Sequence, residues 1–213
     1  NRVYKISKEK HLVLDDAVNL TDFCYKKRRK LKKTCVYIGS FFKGKGIEQI
    51  LRLAEKNKKI SFHLYGEKKY LNAANIEKNI KFFDYVSYSE IPKILSKYNV
   101  ALMPYQNKVK GRGSIYLQDY MSPLKMFDYM AASMVIIASN LRVYKHILKN
   151  NFNCRLVNVN KDNEWSNAIQ SSFKNSTKNK HLKKNAYKTV QKYTWDKRCK
   201  SIVHFLKKNN HKL

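Results

Sequence analysis

Short apolar, β-branched runs alternate along the chain with stretches whose apolar positions recur at helical spacing. HLVL (11–14), TCVYIG (34–39), ISFHLY (60–65), NIKFF (79–83), NVALMPY (99–105), VIIAS (135–139) and NCRLVN (153–158) read as strands. Ile47, Ile50, Leu51 and Ala54 form one stripe of a helix over 46–56. Ser89, Glu90, Ile91 and Pro92 mark a helix start, because the missing proline N–H bonds nothing in a first turn. Ser122 and Pro123 read as N-cap and first residue of a helix to Ala132. A helix is expected over 141–149, and helix again from Asn163 to the end. This alternation predicts an α/β chain: a Rossmann-like parallel sheet flanked by helices, with a helical C-terminal tail.

Composition narrows the picture. The chain has 213 residues, 43% of them hydrophobic, enough for one sizeable core. Six Gly and three Pro exclude collagen-like, linker-like and turn-dense all-β chains. No apolar run approaches the ~20 residues of a membrane span, and the first residues lack a signal-peptide core, so a cytoplasmic protein is expected. Cysteines 24, 35, 154 and 199 form no metal-type spacing and read as reduced thiols.

The net charge is +30, carried by 37 Lys and 8 Arg. Lysine excess with abundant Asn and Ile fits genome composition as well as ligand selection. The dense run Lys26, Lys27, Arg28, Arg29, Lys30, Lys32 and Lys33 reads either as a solvated connector or as a patch for an anionic membrane surface or nucleic acid. Nucleic acid is the weaker partner, since no recognition motif is present and no aromatics interleave the run.

Two segments carry candidate chemistry. In Tyr37-Ile-Gly-Ser-Phe-Phe-Lys-Gly-Lys-Gly46, a strand, a glycine-bearing turn and a helix start combine into an anion site, with Lys43 and Lys45 adding charge. All six glycines follow predicted strand ends, where open sheets bind ligands. In Ser122-Pro-Leu-Lys-Met-Phe-Asp-Tyr-Met-Ala-Ala132 the helix is apolar nearly all round, so Asp128 must be paired or face a polar ligand. His63, in mid-strand, reads as a core residue rather than a base.

SPLKMFDYMAA followed by VIIAS resembles the SPLK-[LM]-FEYMA segment in the nucleotide-sugar-binding half of family 4 GT-B glycosyltransferases. VLDDAVNLTDF (13–23) is similar to that family's entry strand, VYIGSFFKGKGIEQIL to its phosphate turn, NIKFFDYVSYSEIPKIL to the stretch beside the base, and YTW (193–195) to the start of its last helix. The resemblance implies one half of a GT-B fold. Residues 1–33 would form an entry strand and basic connector from an N-terminal domain, 34–175 the donor-binding domain, and 176–213 the C-terminal helices.

It further implies a retaining hexosyltransferase that moves sugar from a nucleotide-sugar donor to a glycan or lipid-linked acceptor in polysaccharide biosynthesis. Its partners would be an N-terminal GT-B domain in cis or trans and the inner face of a membrane. The alternative is a catalytically inactive nucleotide-sugar-binding or partner-binding module. Lys45 and Lys125 would be the catalytic cations, stabilising the departing diphosphate, with no metal or other cofactor expected. Gly39, Ser40 and Gly46 would border the phosphates, with the two glycines allowing close approach. Ser122, Pro123 and Leu124 would hold phosphate at a helix N-terminus, Asp128 would accept the ribose, and Val86 would pack near the base. The chain departs from the family pattern at Ser40, Tyr120, Ala17, Asp84, Ser133 and Asp128.

Overall fold

A computed structural model of the chain describes residues 11–23, 33–67, 76–109, 116, 117 and 119–209. Six of the apolar runs pair as strands: β1 (Thr34–Ile38), β2 (Ser61–Tyr65), β3 (Ile80–Phe83), β4 (Val100–Met103), β5 (Val135–Ser139) and β6 (Arg155–Val157). They form one sheet of order β3-β2-β1-β4-β5-β6, parallel throughout. Helix α1 (Ile47–Lys56) joins β1 to β2, α2 (Ile91–Leu95) precedes β4, and α3 (Leu124–Ala131) precedes β5. Helices α4 (Asp162–Ser172), α5 (Thr177–Val190) and α6 (Trp195–Asn209) follow β6. Trp195, the second aromatic of YTW, opens the last of these.

The central strands β1, β4 and β5 are buried along their whole length because both faces of the sheet are covered. Val36, Ile38, Ala101, Met103, Ile136 and Ala138 pack with α2, α3 and the end of α5. Cys35, Tyr37, Val100, Leu102, Val135 and Ile137 pack with α1 and α4. Within α1 the fully buried stripe is Ile47, Ile50, Leu53 and Ala54, whereas Leu51 is only partly covered.

One seam in this sheet matters for everything that follows. Strand β1 pairs with β2 along its whole length, but with β4 only at Cys35 and Val36. Past that point the Ile38 N–H donates to the Tyr129 hydroxyl of α3, at 2.9 Å. The carboxyl edge of the sheet is thereby pried open where the strand order reverses, the position at which open parallel sheets take ligands.

Three local expectations fail. Residues 11–14 form no strand: the segment has no sheet to join, and Val13 is 83% exposed. It is held instead by the isolated bridge of Val18 to Thr194 and by Arg198, which donates to the Asp15 carbonyl. The helix expected over 141–149 contracts to a single 3-10 turn at Arg142–Tyr144. The Asn153 side chain takes over the hydrogen bonding there, accepting from the Lys149 N–H at 2.8 Å and donating to the Ile147 carbonyl at 2.9 Å. Finally, Ser122 is not the N-cap of α3. Pro123 occupies the cap, and the Ser122 hydroxyl accepts from the Asp16 N–H at 2.8 Å, tying the entry segment to the helix. The basic run is left outside the described residues except for Lys33, as are Cys24, Gly111 and Gly113.

Helix α3 ends on a non-glycine residue in the left-handed region, Ser133, with φ of 50°. The Ser133 N–H bonds the Met130 carbonyl at 3.0 Å and the Met134 N–H the Tyr129 carbonyl at 3.2 Å, the double bond of a helix stop usually built on Gly. The serine hydroxyl is buried with no hydrogen-bond partner among the described residues. Left-handed backbone costs an L-residue ~1–2 kcal/mol, while glycine gives back ~0.5–1 kcal/mol in unfolded-state entropy. Ser133→Gly should therefore stabilise the fold by about 0.5–1 kcal/mol, read as a higher urea midpoint. A lower midpoint would show that Ser133 is not strained.

Candidate donor-binding site

The opened edge of the sheet is lined by the turn after β1, the end of β2, the segment after β3 and the start of α3. The turn is shaped by Gly46, whose φ of 89° precedes α1. A Cβ there would lie 1.9 Å from the Pro104 carbonyl oxygen, so this glycine lets two protein segments touch. A Cβ on Gly39 would lie 2.6 Å from Lys125 Nζ. Neither position has room for a side chain, because the chain itself fills the space a Cβ would take.

Lys125 leaves the first turn of α3 and places its ammonium 3.7 Å from the centre of the Tyr37 ring and 5.3 Å from that of Tyr105. Its Nζ is buried and has no hydrogen-bond partner among the described residues. Lys45 Nζ lies 5.0 Å from the centre of the same Tyr105 ring, so both cations attend one aromatic. The ring faces attract them, which offsets part of the desolvation. Burial pushes the Lys125 ammonium well below the usual lysine range, Lys45 pushes it further, and Asp128 opposes. Burial lowers Lys45 as well. The N–H groups of Leu124 and Lys125 open α3, at the positive end of the helix dipole and beyond reach of any intrahelical acceptor.

Beside these cations runs a cleft of about 290 Å³. Ile38, Gly39 and Ser40 form one side, Tyr65, Gly66 and Glu67 the floor, and Tyr85, Val86, Tyr88 and Ile91 the other side. Asp128 is 4% exposed, and the Tyr88 hydroxyl donates to its Oδ1 at 3.3 Å. Burial raises the Asp128 carboxyl to about 7, against the opposing pull of the Tyr88 hydrogen bond and of Lys125. The structure therefore brings Gly39, Ser40, Val86, Lys45, Leu124, Lys125 and Asp128 to one edge. Ser122 and Pro123 shape the helix entrance, with the Ser122 hydroxyl already engaged by Asp16. His63 stands apart, half-buried in β2 with Nδ1 2.8 Å from the Tyr98 hydroxyl, as its core reading required.

Sequence reading missed the aromatic half of the site. Tyr37, Tyr105 and Tyr88 are contributed by three separate segments, and only the Ser87–Glu90 spacing carried a signal. Ser87 N–H and hydroxyl both donate to Glu90 Oε2, at 3.1 and 2.9 Å, a capping arrangement that fixes Tyr88 one residue into the turn. Among the described residues, no group of three His, Cys, Asp or Glu is arranged to hold a metal ion, and no helix is long and apolar enough to cross a membrane.

A parallel sheet whose order reverses at β1, with cations and a helix N-terminus at the opened edge, defines a Rossmann-like α/β domain with an anion crevice. The chain belongs to the glycosyl transferases group 1 family, whose model matches residues 24–189. No curated protein sequence matches it. Among solved structures, a glycosyltransferase from Rickettsia africae aligns with a TM-score of 0.76 at 14% identity, over 98% of this chain and 60% of that one. Anabaena HepE, solved in complex with UDP-glucose, aligns with a TM-score of 0.67 at 12% identity, over 83% of this chain and 49% of its own. The C-terminal domain of the Francisella tularensis group 1 family protein LpcC aligns with a TM-score of 0.56 at 17% identity, over 83% of this chain and 93% of that domain. The fold is thus that of the C-terminal half of a GT-B enzyme. The chain spans 37% of TarM and about half of HepE.

Proposed function

We propose that the chain is the donor-binding half of a retaining glycosyltransferase, taking a hexosyl group from a nucleotide sugar to a glycan or lipid-linked acceptor in polysaccharide assembly. The observation that carries this reading is the Lys125 ammonium, buried without a hydrogen-bond partner among the described residues, at the edge where Lys45 and the α3 N-terminus converge. Such a group is costly unless an anion arrives to pair with it. A diphosphate is that anion, and the apolar wall of Tyr65, Tyr85, Val86 and Ile91 is suited to a nucleobase. The UDP-glucose held by HepE supports the same class of ligand.

In this reading the chain's residues act on the leaving group. Charge builds on the diphosphate as the glycosidic bond to the donor breaks, and Lys45, Lys125 and the N–H groups of α3 stabilise it where it develops. Transfer also needs the acceptor held against the donor, since much of the barrier reduction comes from positioning two reactants. We assign that part to an N-terminal GT-B domain, in cis or as a partner chain.

Calorimetry of the chain with UDP, GDP and ADP in the presence of EDTA tests the reading. At least one should bind below millimolar concentration. No binding of any of them at that level removes the donor site.

A further inference from the structure

We propose that the amino edge of the sheet, opposite the donor cleft, is a binding groove for an acidic glycan chain. The choice of a glycan rests on the transferase reading above, whereas the groove itself does not.

In a parallel sheet every strand starts on one edge and ends on the other, so the donor cleft occupies the carboxyl side alone. Two concavities run along the opposite side. One, of about 580 Å³, lies between the end of α1 and the α4–α5 connection, and Lys56, Lys58 and Lys59 line it. The other, of about 170 Å³, lies between Asn99, just before β4, and the first turns of α5, with Lys180 and Lys183 in its wall. Lys33, Phe173 and Lys174 line both, which makes one continuous groove.

Lysine is the only charged residue type lining either part. Lys56 reaches Asp162 at 3.7 Å and Lys58 reaches Glu77 at 2.5 Å. Lys33, Lys59, Lys174 and Lys180 are exposed and have no ion-pair partner among the described residues. Helix α5 adds to the imbalance: its first turn holds Lys178 and Lys180 and no acidic residue, whereas α1 and α4 both begin with acids. Cations at that end of a helix are opposed by its dipole, a local cost with no compensating contact in the fold.

Shape selects among polyanions. A bilayer is met by protruding apolar side chains, whereas the one aromatic here, Phe173, is half-buried inside a concavity. Single-stranded nucleic acid is held by aromatic platforms for successive bases, and the groove offers a single ring. An acidic glycan needs cations spaced along its length, amides for its hydroxyls and one apolar face for a sugar ring. The amides of Gln170 and Asn175 line the two arms on either side of Phe173. A glycan long enough to span the sheet, ~16 Å for a strand of five residues, would be concentrated at the cleft by this hold. A shorter fragment should fill the groove and leave nucleotide affinity untouched.

The test titrates a short oligogalacturonate, with one carboxylate per sugar, into the whole chain, with neutral dextran as control. The oligogalacturonate should bind and the dextran should not, and raising salt from about 50 to 200 mM should weaken binding at least ~tenfold. The double variant Lys33→Gln/Lys174→Gln should lose about tenfold in affinity, the scale of two charge contacts, with UDP affinity and thermal midpoint unchanged. Removing the same two charges from the end of α6, as Lys207→Gln/Lys208→Gln, should change binding by less than about twofold. Equal loss from both pairs, or none from the groove pair, overturns the proposal by reducing the groove to general basicity, and dextran that binds as well as oligogalacturonate overturns it too. Tighter binding to phosphatidylglycerol vesicles or to oligothymidylate overturns the glycan as its partner. A chain that binds oligogalacturonate through Lys33 and Lys174 but no nucleoside diphosphate keeps the groove and removes the donor site.

Discussion

Replacing Lys125 with methionine should make the protein more stable and nearly blind to diphosphates. The ammonium is buried, has no hydrogen-bond partner among the described residues and is repelled by Lys45, so an apolar side chain of similar length removes a charge that only the aromatic rings offset. On the proposed donor-site role the same change should also remove a charged hydrogen bond to the diphosphate, worth ~1.5–3 kcal/mol, or roughly 10- to 150-fold in affinity. Adding Lys45→Ala should deepen the loss, though less than additively, since both cations attend the Tyr105 ring. Thermal melting and calorimetry on the same samples check both signs. A variant that melts lower and binds like the parent would mean Lys125 is a packing residue.

The second large effect concerns Gly46. Its φ of 89° is left-handed, and a Cβ would overlap the Pro104 carbonyl at 1.9 Å, a backbone atom that no rotamer change can clear. Gly46→Ala should cost about 2–4 kcal/mol in urea unfolding, the range for a strained backbone plus a steric clash. Because the turn after β1 must then shift, diphosphate binding should fall with it. Unchanged stability would mean the Gly46 turn relaxes freely, and the site would not depend on its contact with the β4 loop.

Much of this fold was legible because the central strands β1, β4 and β5 are apolar on both sides, a pattern that needs no partner to be recognised. Β-branched TCVYI and VIIAS became β1 and β5, buried at every position. HLVL was misread because three consecutive apolar residues also suit an exposed connector, and what decides between them is whether a sheet edge lies within reach. The 141–149 segment carries helical apolar spacing, yet Asn153 and the burial of Tyr144 and Leu148 stabilise turns in its place. In the site, the turn after β1 and the start of α3 were legible because each is continuous in sequence. The hydroxyl of Ser122 was assigned to its own helix, but Asp16, over a hundred residues away, claims it. Tyr37, Tyr105 and the Tyr88–Asp128 pair were not legible, since each contact joins segments that only the folded sheet brings together.

The narrow seam between β1 and β4 has a mechanical meaning. On one side, β3, β2 and β1 are bound into a strip by long ladders. On the other, β4, β5 and β6 form a second strip, and between the two only Cys35 and Val36 complete the sheet. The line that runs into the cleft is therefore where the sheet has its shortest ladder, and where opening the ladder breaks the fewest backbone bonds. A ligand lodged there would be gripped by Gly39 and Lys45 from one strip and by α3 from the other, and would act as a rivet across the weak line. Occupancy would then show itself as stiffness, with slowed amide exchange along β1 and β4.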